Sequence, residues 1–284
     1  MTAPADLALD AAFARDLAVR AGDLLRERYG RVGRIDHKSA RDVVTEVDHL
    51  SERLVIDGIR GAFPTDGILA EESGANAHTR DAAVGQPRGL AHGRTWIIDP
   101  LAGTTNFIHG FPQYAASIGL QHGGVITQAV VYDPTRNELF TATRGRGAYL
   151  NDRRIRVSRR AKLQESLIGT GFPFRKLEHL DEYVRMFKLI TEQTAGIRRP
   201  GAAALDLAYV ACGRLDGFWE FGLSPWDMAA GSLLILEAGG LIGDFDGEAN
   251  YLAAGHVVCG APKVYQQLLA LVQEVHRHGV RTAA

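Results

Sequence analysis

Apolar residues fall at helical spacing near the N-terminus, where Leu7, Ala11, Phe13, Leu17, Ala21, Leu24 and Leu25 are separated by charged positions. That period predicts an amphipathic helix from Leu7 to Tyr29. The same period returns from about Val47 to Phe63, with Leu50, Leu54, Ile56, Ile59 and Phe63 as core candidates and Pro64 as its stop. GILAEESG then reads as a short buried strand ending in two carboxylates, and residues 75–94 lack an apolar period and read as an exposed loop. From Thr95 the pattern changes to strands. TWIID, YAASIGLQ, GVITQAVVYDP and NELFTATR are short, rich in β-formers and bounded by Gly, Pro or Asn, and GRGAYLN adds a further short strand. Helices are predicted over about Leu177 to Thr194, Ala202 to Cys212, Trp226 to Ala238 and Pro262 to Val275. Strands are predicted near 217–220, 241–245 and 256–259. Interspersed helices and strands around an antiparallel run predict a layered α/β fold without the regular repeat of a barrel.

Composition narrows the class. The chain has 284 residues, 46% hydrophobic and 23% charged, the profile of a soluble globular protein. It is long enough for one large domain or two lobes. One domain over 1–284 is expected, with lobes of roughly 1–190 and 191–284. The 32 basic and 33 acidic residues leave a charge of −1, which argues against a dedicated nucleic-acid binder. Cys212 and Cys259 exclude a disulfide scaffold and point to a reducing, cytoplasmic compartment. Charges recur through the N-terminal segment, so neither a signal-peptide core nor a membrane span is expected there.

The sharpest chemical signal is the run Trp96-Ile-Ile-Asp-Pro-Leu-Ala-Gly-Thr-Thr-Asn-Phe107. An apolar strand delivers Asp99 at its end, Pro100 stops the ladder, and Gly103-Thr104-Thr105 can open a turn or helix whose N–H groups bind an oxyanion. A carboxylate beside an anion cradle is repulsive unless a cation lies between them, and a hard divalent metal meets that need. Taken alone, Asp99 reads equally well as a turn cap. Three further acidic sites shift the balance. Glu71 and Glu72 end the GILAEE strand, where alternation turns one of them toward the site. Asp227 stands near the start of an apolar helix, and Asp48 follows Thr45 in a capping-box spacing. Together they describe a carboxylate-rich metal site beside a phosphate pocket, with chemistry by metal-assisted water attack.

At this point the chain resembles the inositol monophosphatase family, its bacterial members in particular. Asp-Pro-Leu-Ala-Gly-Thr-Thr-Asn-Phe resembles the first signature of that family, and Pro-Trp-Asp-Met-Ala-Ala-Gly followed by Glu-Ala-Gly-Gly resembles the second. Asp42-Val-Val-Thr-Glu-Val-Asp48, Glu71-Glu72-Ser-Gly and Arg199-Pro-Gly-Ala-Ala-Ala-Leu-Asp-Leu-Ala-Tyr209 fit in the right order, over about residues 5–275. The resemblance implies an αβαβα sandwich and magnesium-dependent, lithium-inhibited hydrolysis of phosphomonoesters in a homodimer. It matches Glu71, Asp99 and the Leu101 carbonyl to a first metal. Asp99, the position after Leu101 and Asp227 match a second metal, and Glu71 also faces a weaker third. Thr104 and Asp48 match the pair that orients the attacking water, with Glu71 beside them in catalysis, and the Gly103 and Thr104 amides match the phosphate cradle. Glu71, Leu101 and Asp227 are also expected to contact substrate. Gly201, Ala202 and Ala203 match the substrate-side loop, and Glu220 matches a residue that bonds ring hydroxyls. Lys38 stands where the family often has a basic residue, although a solvated loop lysine fits it equally well.

One position departs from the pattern: Ala102 stands where the family has an aspartate of the second metal site. Alanine offers no side-chain ligand, so the second metal should bind weakly and the chain as written should be an impaired variant. Decay into a binding protein would disturb several site residues. The other matched positions are intact, which favours a deliberate truncation. The expected parent activity is hydrolysis of inositol 1-phosphate, with histidinol phosphate or another sugar phosphate as the alternative substrate. Glu220 and the Gly-Ala-Ala-Ala loop favour a polyol, and no aromatic platform for a base is evident. A non-catalytic partner of the transcription machinery is the alternative of a different class.

Overall fold

The structure is a computed structural model that describes residues 4–39, 42–74, 93–174 and 177–282. Helix α1 (Pro4–Arg28) leads into a two-stranded antiparallel pair, β1 (Ile35–Ser39) and β2 (Asp42–Thr45), and then α2 (Glu46–Ala62). A seven-stranded sheet follows in simple sequence order: β3 (Gly67–Ala70), β4 (Arg94–Ala102), β5 (Ala115–His122), β6 (Val125–Asp133), β7 (Glu138–Thr143), β8 (Gly147–Leu150) and β9 (Arg153–Arg154). The short helix α3 (Thr104–Ile108) lies between β4 and β5. β3 runs parallel to β4, and the remaining neighbours are antiparallel.

The second sheet has five strands in the order β11-β10-β12-β14-β13. These are β10 (Leu167–Thr170), β11 (Gly196–Arg198), β12 (Gly217–Glu220), β13 (Leu241–Gly243) and β14 (Val257–Gly260). Its helices are α4 (Leu180–Gln193), α5 (Ala203–Ala211), α6 (Pro225–Glu237), α7 (Tyr251–Ala254) and α8 (Pro262–Thr282). Strand alternation explains the stacking. Trp96, Ile98, Ile118 and Val130 turn to one face of the large sheet and pack on Leu17 and Ala21 of α1 and Val55 and Ile59 of α2. Ile97, Ala115, Ala129 and Val131 turn to the other face and meet Leu205 of α5 and Leu233 of α6. Phe218 and Cys259 of the small sheet close that middle layer, while Trp219 and Val258 face Met186 of α4 and Leu268 of α8. The five layers form the expected αβαβα sandwich.

Helices cover both faces of the central strands of the large sheet. The GILAEE strand ends at Ala70, so Glu71 and Glu72 lie in a turn where strand alternation no longer applies. Pro100 does not end β4. The strand continues to Ala102 through a register shift between Asp99 and Ala102, the irregularity that the missing proline N–H imposes. Of the loop expected at 75–94, residues 75–92 lie outside those described, and Arg94 opens β4 with its guanidinium on Asp10 and Asp66. Strands β1, β2, β10 and β11 were not anticipated; all are five residues or shorter. Among the described residues no helix is long and apolar enough to cross a membrane.

Candidate active site

β4 carries Asp99 to the end of its regular ladder, opposite Ser117 of β5. The buried Ser51 hydroxyl of α2 donates to the Pro100 carbonyl at 2.9 Å, which anchors the irregular turn. The Leu101 amide bonds back to Asp99 Oδ1 at 3.1 Å, while the Leu101 side chain is buried among Leu25, Val47, Phe107 and Tyr114. Gly103 then takes φ +93°, in the left-handed region, as the cap of α3. A Cβ there would also come within 2.8 Å of the Gln113 carbonyl, so glycine is required twice over.

Thr104 and Asp48 form one unit. The Thr104 hydroxyl donates to Asp48 Oδ1 at 2.8 Å, with the Leu101 carbonyl 3.2 Å away. Asp48 Oδ2 accepts from the Thr45 amide at 2.9 Å and the Thr45 hydroxyl at 2.6 Å. The capping reading and the catalytic reading of Asp48 therefore use different oxygens of one carboxylate. Burial pushes Asp48 above the usual carboxylate range, against the pull of the Thr45 and Thr104 hydrogen bonds.

Glu71 reaches the site because its amide donates to the Ile98 carbonyl at 3.2 Å, extending the β3–β4 pairing by one bond. The turn behind it is held by Glu52 of α2, whose carboxylate accepts from the Glu72 and Ser73 amides at 2.8 and 3.0 Å. Lys38 of β1 bridges Glu71 and Glu72, at 3.2 and 2.5 Å, so both carboxylates meet the same ammonium instead of pointing apart. Burial raises Glu72 to about 7, with Lys38 opposing and the Glu71 charge adding to the rise. Burial works to lower Lys38, and the two glutamates outweigh it. Asp227 is the third residue of α6 and accepts from the Ser224 amide at 2.7 Å, so it too is a helix cap.

Asp99 is wholly buried and stands well above the ordinary carboxylate range. Desolvation is the main cause, followed by the charges of Glu71 and Asp227 and a hydrogen bond shared with Glu71. Among the described residues no three His, Cys, Asp or Glu side chains are gathered to hold a metal ion by themselves. The donors around Asp99 are all oxygen, including the Leu101 carbonyl and the Thr104 hydroxyl. That chemistry suits a hard dication supplied with water, which would relieve the repulsion among the carboxylates.

One cavity of about 250 Å³ joins these groups. Glu71, Asp99, Leu101, Gly103, Thr104 and Asp227 line its acidic end, and Ala102 faces it from the end of β4. Gly201, Ala202, Ala203 and Glu220 line the same cavity, with Ala202 packed beside the Gly103 turn, while Asp48 stands behind Thr104. Asn106 pins the far wall by donating to the Gln113, Pro200 and Gly201 carbonyls at 2.8, 3.0 and 3.2 Å. Phe172, Phe174 and Arg199 also line the cavity. The sequence reading did not single them out as site residues, since the segment GFPF carries no period that would mark it. Glu52 was missed as well, although it stands four residues after Asp48 on α2, which is a legible helical spacing.

The layered α/β fold sets a group of buried carboxylates beside a cavity that also presents a glycine-cradled turn. Residues 6–277 match the profile of the Inositol monophosphatase family, and the chain belongs to that family. It is 52% identical over 241 residues to the Nus factor SuhB of Pseudomonas aeruginosa, covering 84% of this chain and 86% of that protein. The extragenic suppressor protein suhB of Bartonella henselae superposes with a TM-score of 0.83 at 38% identity, covering 92% of this chain and 97% of that one. The inositol monophosphatase of Anabaena superposes with a TM-score of 0.82 at 38% identity, covering 95% and 97%.

Proposed function

We propose that this chain is built as a magnesium-dependent phosphomonoesterase acting on inositol 1-phosphate or a closely related polyol phosphate, with turnover limited by Ala102. The observation that carries it is the fully buried Asp99, set against Glu71 and Asp227 beside a threonine hydroxyl already committed to Asp48. Magnesium, held by Glu71, Asp99, Asp227 and the Leu101 carbonyl, would supply Lewis-acid activation of water and neutralise phosphate charge. The protein's own groups do the rest. With its proton donated to Asp48, Thr104 Oγ1 presents a lone pair that orients the proton of an attacking water. The amides of Gly103 and Thr104, at the opening of α3, hold phosphate oxygens. Glu220 accepts from hydroxyls of the alcohol, and Gly201, Ala202 and Ala203 shape the wall against it.

A second reading has a specific basis. The Pseudomonas aeruginosa relative is named a Nus factor, and Ala102 removes one carboxylate from the cluster. On that reading the chain is a partner of the transcription machinery, its site no longer selected for turnover. Phosphate release from inositol 1-phosphate, histidinol phosphate and glycerol 2-phosphate, for this chain and its Ala102→Asp variant, separates the two. Hydrolysis by the aspartate form supports the enzyme. Inactivity of both proteins on every ester rejects it. We also propose a homodimer, formed through the outer face of α4.

A further inference from the structure

One wall of the cavity is built at the carboxyl ends of three neighbouring strands. β11, β10 and β12 lie side by side, with β10 parallel to both neighbours. Arg199 follows β11, Phe172 and Phe174 follow β10, and Glu220 ends β12. In open α/β sheets ligands bind at the carboxyl ends of the parallel strands, which is where this wall stands.

Two glycines make room for its charged groups. A Cβ at Gly171 would collide with the Glu220 carboxylate at 1.9 Å, so that carboxylate lies directly over the Gly171 backbone. A Cβ at Gly201 would lie 2.7 Å from Arg199 Nη1. The Arg199 guanidinium sits 4.9 Å from the centre of the Phe172 ring and 5.8 Å from that of Phe174. Cation–π contact with the two rings confines the guanidinium, so less freedom remains to be lost when an anion binds. Arg199 brings a positive charge to a cavity whose other charged lining residues, among those described, are acidic.

We infer that Arg199, held against Phe172 and Phe174, forms a subsite for a carboxylate on the alcohol portion of the substrate. The favoured esters would then be phosphorylated hydroxy acids; this rests on the phosphomonoesterase reading above. The guanidinium fork matches a planar carboxylate in bidentate fashion. A single negative charge also suits the place better than a second phosphate, because Glu220 lines the same wall and adds repulsion with each further charge. Hydroxyls would turn to Glu220 and the carboxylate to Arg199, which fixes the orientation of the alcohol.

The matched probes are 3-phosphoglycerate and glycerol 3-phosphate, which differ by a terminal carboxylate in place of a hydroxymethyl group. Their binding to the whole chain is measured calorimetrically in saturating magnesium, with phosphate release followed in parallel. The unaltered chain should bind 3-phosphoglycerate at least roughly tenfold more tightly, the scale of one charge-assisted hydrogen-bonded pair. In Arg199→Ala and Arg199→Gln that ratio should fall toward one, and in Arg199→Lys only part of the way. Equal affinities in the unaltered chain, or a preference that survives Arg199→Gln, overturns the subsite. Preferential binding with no phosphate release even in the Ala102→Asp background would sink the hydrolytic reading and leave the subsite standing.

Discussion

At the scale of single residues, the same carboxylates serve as helix caps and as site groups. Asp48 and Asp227 each accept a backbone amide from their own helix cap, and each has charge to spare for the cavity. Ala102 is the exception, a small apolar residue 4% exposed at the rim of an acidic cluster. Replacing it with aspartate should raise kcat for phosphate release by at least roughly two orders of magnitude, the scale of one electrostatic stabiliser of a transition state. The fold should hardly change, because Ala102 lines the cavity at the end of β4, beside the Gly103 turn; steady-state kinetics of both proteins at saturating magnesium provide the check. An alanine form already turning over at the rate of the aspartate form would remove position 102 from the ligand set. Glu72 provides a second residue-scale expectation. Its carboxyl rises from 4.5 to about 7 on folding, so the folded protein binds this proton more tightly than the unfolded chain. The stability from that difference is full below pH 4.5 and is lost as pH rises through 7, by at most about 3 kcal/mol. Urea unfolding in chelator across that range should show a flatter profile for Glu72→Gln than for the parent.

At the scale of elements, legibility followed length and period. The amphipathic α2 and the strands β5, β6 and β7 were readable because each repeats its pattern over several positions. β1, β10 and β11 have five, four and three residues, too few for a period to declare itself. Asp99, Thr104 and Asp227 were legible through their motifs, whereas Phe172 and Arg199 join the cavity only because β10 and β11 pair side by side across 29 positions of sequence, Leu167 with Gly196 and Ile168 with Ile197. Lys38 is similar: its strand is irregular, and only the tertiary fold brings its ammonium onto Glu71 and Glu72. The turn from β4 into α3 provides the element-scale test. Gly103→Ala meets a positive φ and a backbone carbonyl 2.8 Å from its new Cβ, so it should cost on the order of 1–3 kcal/mol and displace Thr104 from Asp48. Thermal unfolding reads the first effect. A fall in kcat of Gly103→Ala in the Ala102→Asp background reads the second, and a variant as stable as its parent would show that the turn tolerates a side chain.

At the scale of the whole molecule, five layers bury most apolar strand positions, and among the described residues α4 carries three of the large apolar side chains left exposed. Tyr183, Met186 and Ile190 turn inward from this helix. Leu180, Val184 and Phe187 lie on its outer side, 40%, 54% and 37% exposed, and Leu177 just before it is 43% exposed. A surface helix ordinarily presents polar groups to water, and a contiguous apolar stripe of this kind marks a contact surface. Such a stripe can carry an isologous interface, in which the same surface meets its own copy across a two-fold axis. Phe172 packs edge-on against Tyr183 at 5.5 Å, and Tyr183 stacks on Phe187 at 6.0 Å, which connects the stripe to the cavity wall. Sedimentation at micromolar concentration should therefore give a two-chain species. Val184→Glu places a charge at the most exposed apolar position of the helix, with little change expected in the fold, and should shift the protein to one chain. A monomeric parent, or a Val184→Glu variant that stays dimeric with unchanged affinity, would show that α4 does not form the interface.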